Sequence, residues 1–301
     1  MGLNGSGDFE SRLGQNVVMV KLSRAWLLLF LGSIGVALGV IRADQTFPAT
    51  LPTTSASTLP LTPAATTQPL PTAQAVIDRY TEVTGGKDAY ASIQSRHLEA
   101  DYNLEDLGVK GKLVADIRRD ANARLSIKIP DFDEVTIGVT DGVIWRNDQT
   151  NGPRILEGAE AQAMLITLRI APEIELDAYE SAEVIAITEV NGVSVYKMEL
   201  LVKGLDSHET RYYDIKSGLL LRTDSVVQSN QDRIDVVTRF GDYEDVAPIR
   251  MPMKIRQSMS GLSPEQVNTK VEHNVDISDQ TFALPPEVTD LINRRAATQP
   301  R

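Results

Sequence analysis

The chain of 301 residues is 42% hydrophobic and 24% charged, the composition of an ordinary globular protein. A net charge of −11 repels nucleic acid and anionic headgroups at long range, and 5% aromatic content argues against a base-stacking or sugar-stacking surface. Cysteine is absent, which excludes disulfides, thiolate catalysis, zinc–thiolate sites and a lipidated N-terminal cysteine.

The first 43 residues carry Arg12, Lys21, Arg24 and Arg42 against Asp8 and Glu10, so the acidity lies in the remainder. Ala25 to Ile41, AWLLLFLGSIGVALGVI, holds seventeen uncharged residues with no polar face. One reading is a signal peptide with a basic n-region and a small residue, Ala43, at a cleavage point. The other is an uncleaved anchor at the short end of a membrane span. The basic flank stays cytoplasmic in either case, so the rest of the chain is exported. The n-region is unusually long, which makes Met19 an alternative start.

Gln45 to Thr72 contains six prolines, nine threonines and no charge. Such a segment cannot build a core and forms an extended linker. The predicted organisation is an export segment over 1–43, a linker over 44–72, a globular domain over 73–291 and a disordered tail over 292–301.

The domain opens with Ala73, Val76, Ile77, Tyr80 and Val83 at helical spacing, stopped by Gly85-Gly86, and a second short helix over Lys87 to Gln94. From His97 the period changes to two. Leu98, Ala100, Tyr102 and Leu104 alternate with polar residues, and strands follow over Val109–Arg118, Arg124–Ile129 and Val135–Val139. Asp141-Gly142 predicts a tight hairpin into Val143-Ile144-Trp145. A helix is expected over Glu157 to Ile170, stopped by Pro172, with a further helical turn near Asp177–Ala182. Strands resume at Val184–Val190, turn at Asn191-Gly192 and continue through Val193–Val202. Thr210 to Gln257 then reads as a four-stranded meander with breaks at Lys216–Gly218, Ser229–Asp232 and Glu244–Pro248. A strand over Val267–Ile277 and a Pro285-Pro286 stop close the pattern. About eleven antiparallel strands result, and their apolar face needs a cover.

Catalytic signatures are missing. His97, His208 and His273 lie far apart with no local pair of metal-ligand spacing and read as solvated strand residues. There is no G-x-S-x-G elbow and no S-x-x-K run. Asp242, Glu244 and Asp245 crowd one stretch, where a solvated turn is the plainer reading than a glycosidase pair. Trp145, just after the hairpin and just before a Pro/Gly break, is either core or the lip of an apolar cavity. Met198, Met251, Met253 and Met259 fall in strands of period two, as ordinary core or as the soft lining of a cavity for acyl chains.

Several short motifs resemble one family. T-G-G-K (Thr84 to Lys87) ends the first helix, and D-G-x-x-W (Asp141 to Trp145) leads into N-G-P-R and E-G-x-E (Asn151 to Glu160). Then come Y-x-x-x-S-G-L-L-L-R (Tyr213 to Arg222), F-x-D-Y-x-D-V (Phe240 to Val246), P-x-K-I (Pro252 to Ile255) and N-V-x-I with F-x-L-P (Asn274 to Pro285). Over Ala73 to Leu291 the chain resembles bacterial outer-membrane lipoprotein-sorting-like proteins, relatives of the LolA/LolB periplasmic carriers. The resemblance implies a half-open antiparallel β-barrel whose mouth is covered by helices, around a hydrophobic cavity that accepts acyl chains. The linker and apolar N-terminal stretch depart from the soluble carriers, and the missing cysteine departs from the lipid-anchored acceptor. No functional residue of the family is carried over.

The expected fold is therefore α+β, mainly antiparallel β, a LolA-like half-open barrel with covering helices. The expected function is non-enzymatic binding, in the periplasm, of the acyl chain of a lipid or lipoprotein, by a monomer needing no cofactor and no metal. Trp145, Tyr196, Met198, Leu221, Val236, Met253 and Ile255 are the expected cavity lining. The alternative is a membrane-tethered sensor or scaffold that binds an envelope protein partner through the same fold.

Overall fold

Two β-meanders meet side by side in one antiparallel sheet. The computed structural model describes residues 69–130, 134–149, 151–205, 207–228 and 233–298. The stretch Ala25–Ile41, the linker up to residue 68 and the Ser229–Asp232 break lie outside them. The first meander comprises β1 (Ser95–Leu104), β2 (Val109–Arg118), β3 (Ala123–Lys128), β4 (Val135–Thr140), β5 (Val143–Asn147) and the two-residue β6 (Arg154–Ile155). The second comprises β7 (Tyr179–Val190), β8 (Val193–Val202), β9 (His208–Asp214), β10 (Leu220–Gln228), β11 (Arg233–Val246), β12 (Ile249–Met259) and β13 (Pro264–His273). Strand β13 pairs with β1, giving the order β6-β5-β4-β3-β2-β1-β13-β12-β11-β10-β9-β8-β7. The sheet is thus thirteen-stranded rather than eleven-stranded, and it is not closed, with β6 and β7 at its edges.

Local chemistry explains the turns. Asp141-Gly142 and Asn191-Gly192 take positive φ at both positions, the type I′ geometry that matches strand twist. The Asp214 carboxylate caps the turn before β10 by accepting from the Lys216 and Ser217 amides at 2.9 and 3.2 Å.

Helix α1 (Ala73–Val83) starts at Thr72, whose hydroxyl accepts from the Ala75 amide at 3.1 Å. It buries Ala73, Val76, Ile77 and Tyr80 in the main core. Its end is fastened to β12, because the Arg250 amide donates to the Thr84 carbonyl at 2.8 Å. Helix α2 (Lys87–Ser92) follows, and α3 (Gly158–Thr167) lies in the connection from β6 to β7.

Three expectations are corrected. The helical turn near Asp177–Ala182 is instead the start of β7 at Tyr179. The stretch Asp242 to Asp245 is not a turn but part of β11. Residues 292–298 of the expected disordered tail instead belong to helix α4 (Pro286–Thr298), which opens on a proline, since a residue without an N–H fits the first helical turn.

Alternation sets two buried layers. Leu113, Ala115 and Ile117 of β2 and Leu98, Ala100, Tyr102 and Leu104 of β1 enter the main core, while Lys110, Lys112 and Asp116 take the other face. A smaller layer lies on the opposite face under the C-terminal segment. There Trp145 covers Gly138, where an added Cβ would come 2.4 Å from the indole Cζ2. The indole N–H donates to the Thr140 hydroxyl at 2.9 Å, which donates to the Phe282 carbonyl at 2.6 Å.

Candidate functional site

A cavity with both apolar walls and polar ends interrupts the main core. Leu98, Leu113, Ala115 and Ile117 supply one wall, and Leu220, Phe240, Tyr243, Met251, Pro252 and Ile255 supply another. Tyr80 of α1, Arg96, Glu173, Gln266 and Asn268 complete the lining. The space open to a water-sized molecule is about 50 Å³, within an empty volume of about 700 Å³ that runs out to solvent. The cavity is elongated. Arg96 and the β1 position opposite Gln266, Tyr102, are six residues apart, roughly 20 Å along a strand.

Two strand irregularities decide what faces this space. On β13 a bulge leaves Thr269 unpaired, so Val271 and His273 face the same way as Gln266 and Asn268. On β11 Asp242 adopts φ +50°, and Phe240 and Tyr243, three residues apart, both line the cavity.

Arg96 is the unusual member. It occupies an inward position of β1, in phase with Leu98, Ala100 and Tyr102, and is only 5% exposed. Its Nε donates to His273 Nε2 at 3.1 Å. That bond requires a neutral imidazole with its proton on Nδ1, which donates to the Ala247 carbonyl at 3.1 Å. Burial, then the Arg96 charge, hold the His273 pKa down to about 4. His273 is therefore a half-buried support for Arg96 rather than a solvated strand histidine. Arg96 Nη2 has no hydrogen-bond partner.

Glu173 enters from the α3–β7 connection. The Arg211 guanidinium donates to its backbone carbonyl at 3.0 Å. Burial pushes its carboxyl pKa up, with Arg96 and Arg211 pulling in the opposite direction and Glu175 adding to the rise. The phenols of Tyr80, Tyr90, Tyr213 and Tyr243 stand in the same electrostatic neighbourhood, and burial pushes each of them up. Arg211 is itself locked by Glu209, 2.6 Å away with both side chains almost wholly buried, and by the Tyr179 hydroxyl at 2.7 Å.

The opposite end of the cavity is neutral. Asn268 Nδ2 donates to the Pro252 carbonyl at 3.1 Å, so its Oδ1 must accept from Gln266 Nε2 at 2.7 Å. That chain of constraints orients the Gln266 amide and leaves its Oε1 as an acceptor without a partner.

Of the seven residues expected to line a cavity, Ile255 does so. Trp145 stands on the opposite face, because its pairing with Gly138 puts it out of phase with Ile144 and Arg146. Met198 is buried opposite Arg211, and the partly buried Tyr196 pairs with Tyr213, on β8 and β9. Leu221 is the extra residue of a bulge, which turns Leu220 toward the cavity in its place. Val236 is buried nearer the other end of β11, and Met253 packs partly buried against the core. Sequence reasoning missed Arg96 and Glu173. Arg96 had a legible signal, a charge in phase with an apolar row; Glu173, in a connection without periodicity, had none.

The acidic stretch of β11 does not form a carboxylate pair in a cleft. Asp245 is bound by Arg250 at 2.7 Å, Asp242 faces Lys254 at 3.7 Å, and Glu244 is exposed. Among the described residues no group of three His, Asp or Glu converges to hold a metal ion.

This architecture has counterparts among solved structures. A DUF1329 family protein from Desulfovibrio piger superposes with a TM-score of 0.51 at 15% identity, covering 70% of this chain and 97% of that one. A LolA superfamily protein from Nitrosomonas europaea gives 0.50 at 10% identity, covering 71% and 99%. The fold is LolA-like. No family model and no curated protein sequence matches the chain, so at these identities the likeness defines architecture alone. The unclosed LolA-like sheet has its cavity where β1 and β2 of one meander face β11 and β12 of the other, beneath Tyr80 of α1.

Proposed function

We propose that this chain is a non-enzymatic binding protein of the bacterial periplasm that takes an acyl chain into the cavity between its two meanders. The observation that carries the reading is the cavity itself, an elongated space with long apolar walls inside an unclosed LolA-like sheet. Acyl chains suit such walls, because they offer area and few hydrogen bonds. Leu98, Leu113, Ile117, Phe240, Met251 and Ile255 are the contacts we assign. The elements an entering chain would displace are α1, which carries Tyr80, and the connection that carries Glu173.

Export rests on Ala25 to Ile41 and its basic flank, which either is removed or holds the domain at the inner membrane through the Pro/Thr-rich linker. Among the described residues no helix is long and apolar enough to cross a membrane. The test is native mass spectrometry of the full chain purified from membranes, together with uptake of a fluorescent fatty acid. Copurified lipid and saturable uptake are expected; neither lipid nor uptake would sink the reading.

A second reading, a tethered scaffold for a protein partner, is favoured by β7. This twelve-residue strand lies at the sheet edge and exposes Ile185 and Ile187, the latter 46% accessible. An open edge with apolar side chains can pair with an added strand. Replacing Ile187 by Lys would abolish such pairing and leave fatty-acid uptake intact.

A further inference from the structure

We propose that Arg96 seats the carboxylate of a single-chain fatty acid, so that the guest lies along β1 with its charged end at His273 and its tail toward Gln266. The inference rests on the acyl-binding reading above and adds the chemistry of the guest's head. Arg96 places a guanidinium at one end of an apolar-walled cavity, with its Nε engaged by a neutral histidine and its Nη2 without a protein acceptor. A donor that is charged and buried gains most from an oxyanion, through a charge-assisted hydrogen bond that water does not compete for.

Geometry narrows the anion further. Glu173 lines the same space, so a doubly charged phosphate is repelled by its carboxylate about twice as strongly as a singly charged fatty-acid head. The other polar end offers Gln266 Oε1, an acceptor, which cannot hold an anion. The space open to a water-sized molecule, about 50 Å³, leaves room for one chain rather than for the several chains of a diacyl lipid or a lipoprotein.

The experiment uses the full chain stripped of lipid, at pH 7.5, with radiolabelled oleate and oleyl alcohol in equilibrium dialysis below their aggregation limits. Oleate should bind at least tenfold more tightly than the alcohol. Arg96→Met should bring the two within about twofold of each other by weakening oleate alone, a loss on the order expected of one charged hydrogen bond. Equal affinities in the wild type overturn the role of Arg96 and leave the acyl cavity standing. Binding of neither overturns both. If 1-oleoyl lysophosphatidate displaces oleate at lower concentration than unlabelled oleate itself, the carboxylate assignment falls. Should Arg96→Met fail to fold, as judged by circular dichroism, the acid-to-alcohol ratio of the wild type decides alone.

Discussion

Glu209→Ala tests whether the wall behind the cavity is held by its buried ion pair. Glu209 and Arg211 lie 2.6 Å apart with side chains 0% and 1% exposed, so the substitution strands a guanidinium in the core. Stranding one partner of a buried pair costs about 3–5 kcal/mol. The Tyr179 hydroxyl also loses its contact with Glu209 at 3.3 Å, although it still accepts from Arg211. For a domain of this size about 2–4 °C of Tm is lost per kcal/mol, so a fall of roughly 6–20 °C is expected by calorimetry. The double replacement Glu209→Leu with Arg211→Leu removes both charges and should recover most of that loss, since apolar packing substitutes well for a buried pair. Arg211 also holds the Glu173 carbonyl, so Glu209→Ala should loosen that connection and raise the rate of fluorescent fatty-acid uptake. A Tm within 2 °C of wild type, or a double variant no more stable than the single one, would refute the reasoning.

Other outcomes follow from neighbouring groups. Glu173 has a raised pKa in the fold, so its contribution to stability is complete below its ordinary value near 4.5 and declines as pH rises through the folded value. Glu173→Gln should therefore be more stable than wild type at pH 8, the difference shrinking toward pH 4.5 in urea titrations; a less stable variant at pH 8 contradicts this. His273 has the opposite sign: its stability contribution is present above 6.5 and is lost as pH falls through about 4. A pKa held down from 6.5 to about 4 corresponds to about 3 kcal/mol, which partial solvent contact of the ring reduces to about 1–2 kcal/mol. His273→Gln should flatten stability between pH 6.5 and 4, and an imidazole that titrates near 6.5 by NMR would remove the premise. Gly138→Ala forces a Cβ against the Trp145 indole and should cost about 1–3 kcal/mol by overpacking. Chemical denaturation with tryptophan fluorescence checks it, and an unchanged midpoint would show that Trp145 has room to move.

The sequence determined the class of fold through local rules. Period-two rows, turn pairs such as Asp141-Gly142 and Asn191-Gly192, and the helical spacing of Ala73 to Val83 depend on neighbours a few residues away, and the structure contains each element. The acid-rich stretch of β11 and the prolines before α4 misled because a strand and a helix start tolerate the same residues that turns favour. What the tertiary structure decided is which residues of those rows share a space. The bulge at Leu221 and the bulge at Thr269 each shift the phase of a strand, and a shift of one residue exchanges core for surface. The pairing of β13 with β1 brings His273 to Arg96 across 177 positions of chain, and the β6–β7 connection delivers Glu173 to the same cavity. No local pattern encodes such meetings, because they depend on the order in which strands assemble and on burial that only the completed sheet supplies.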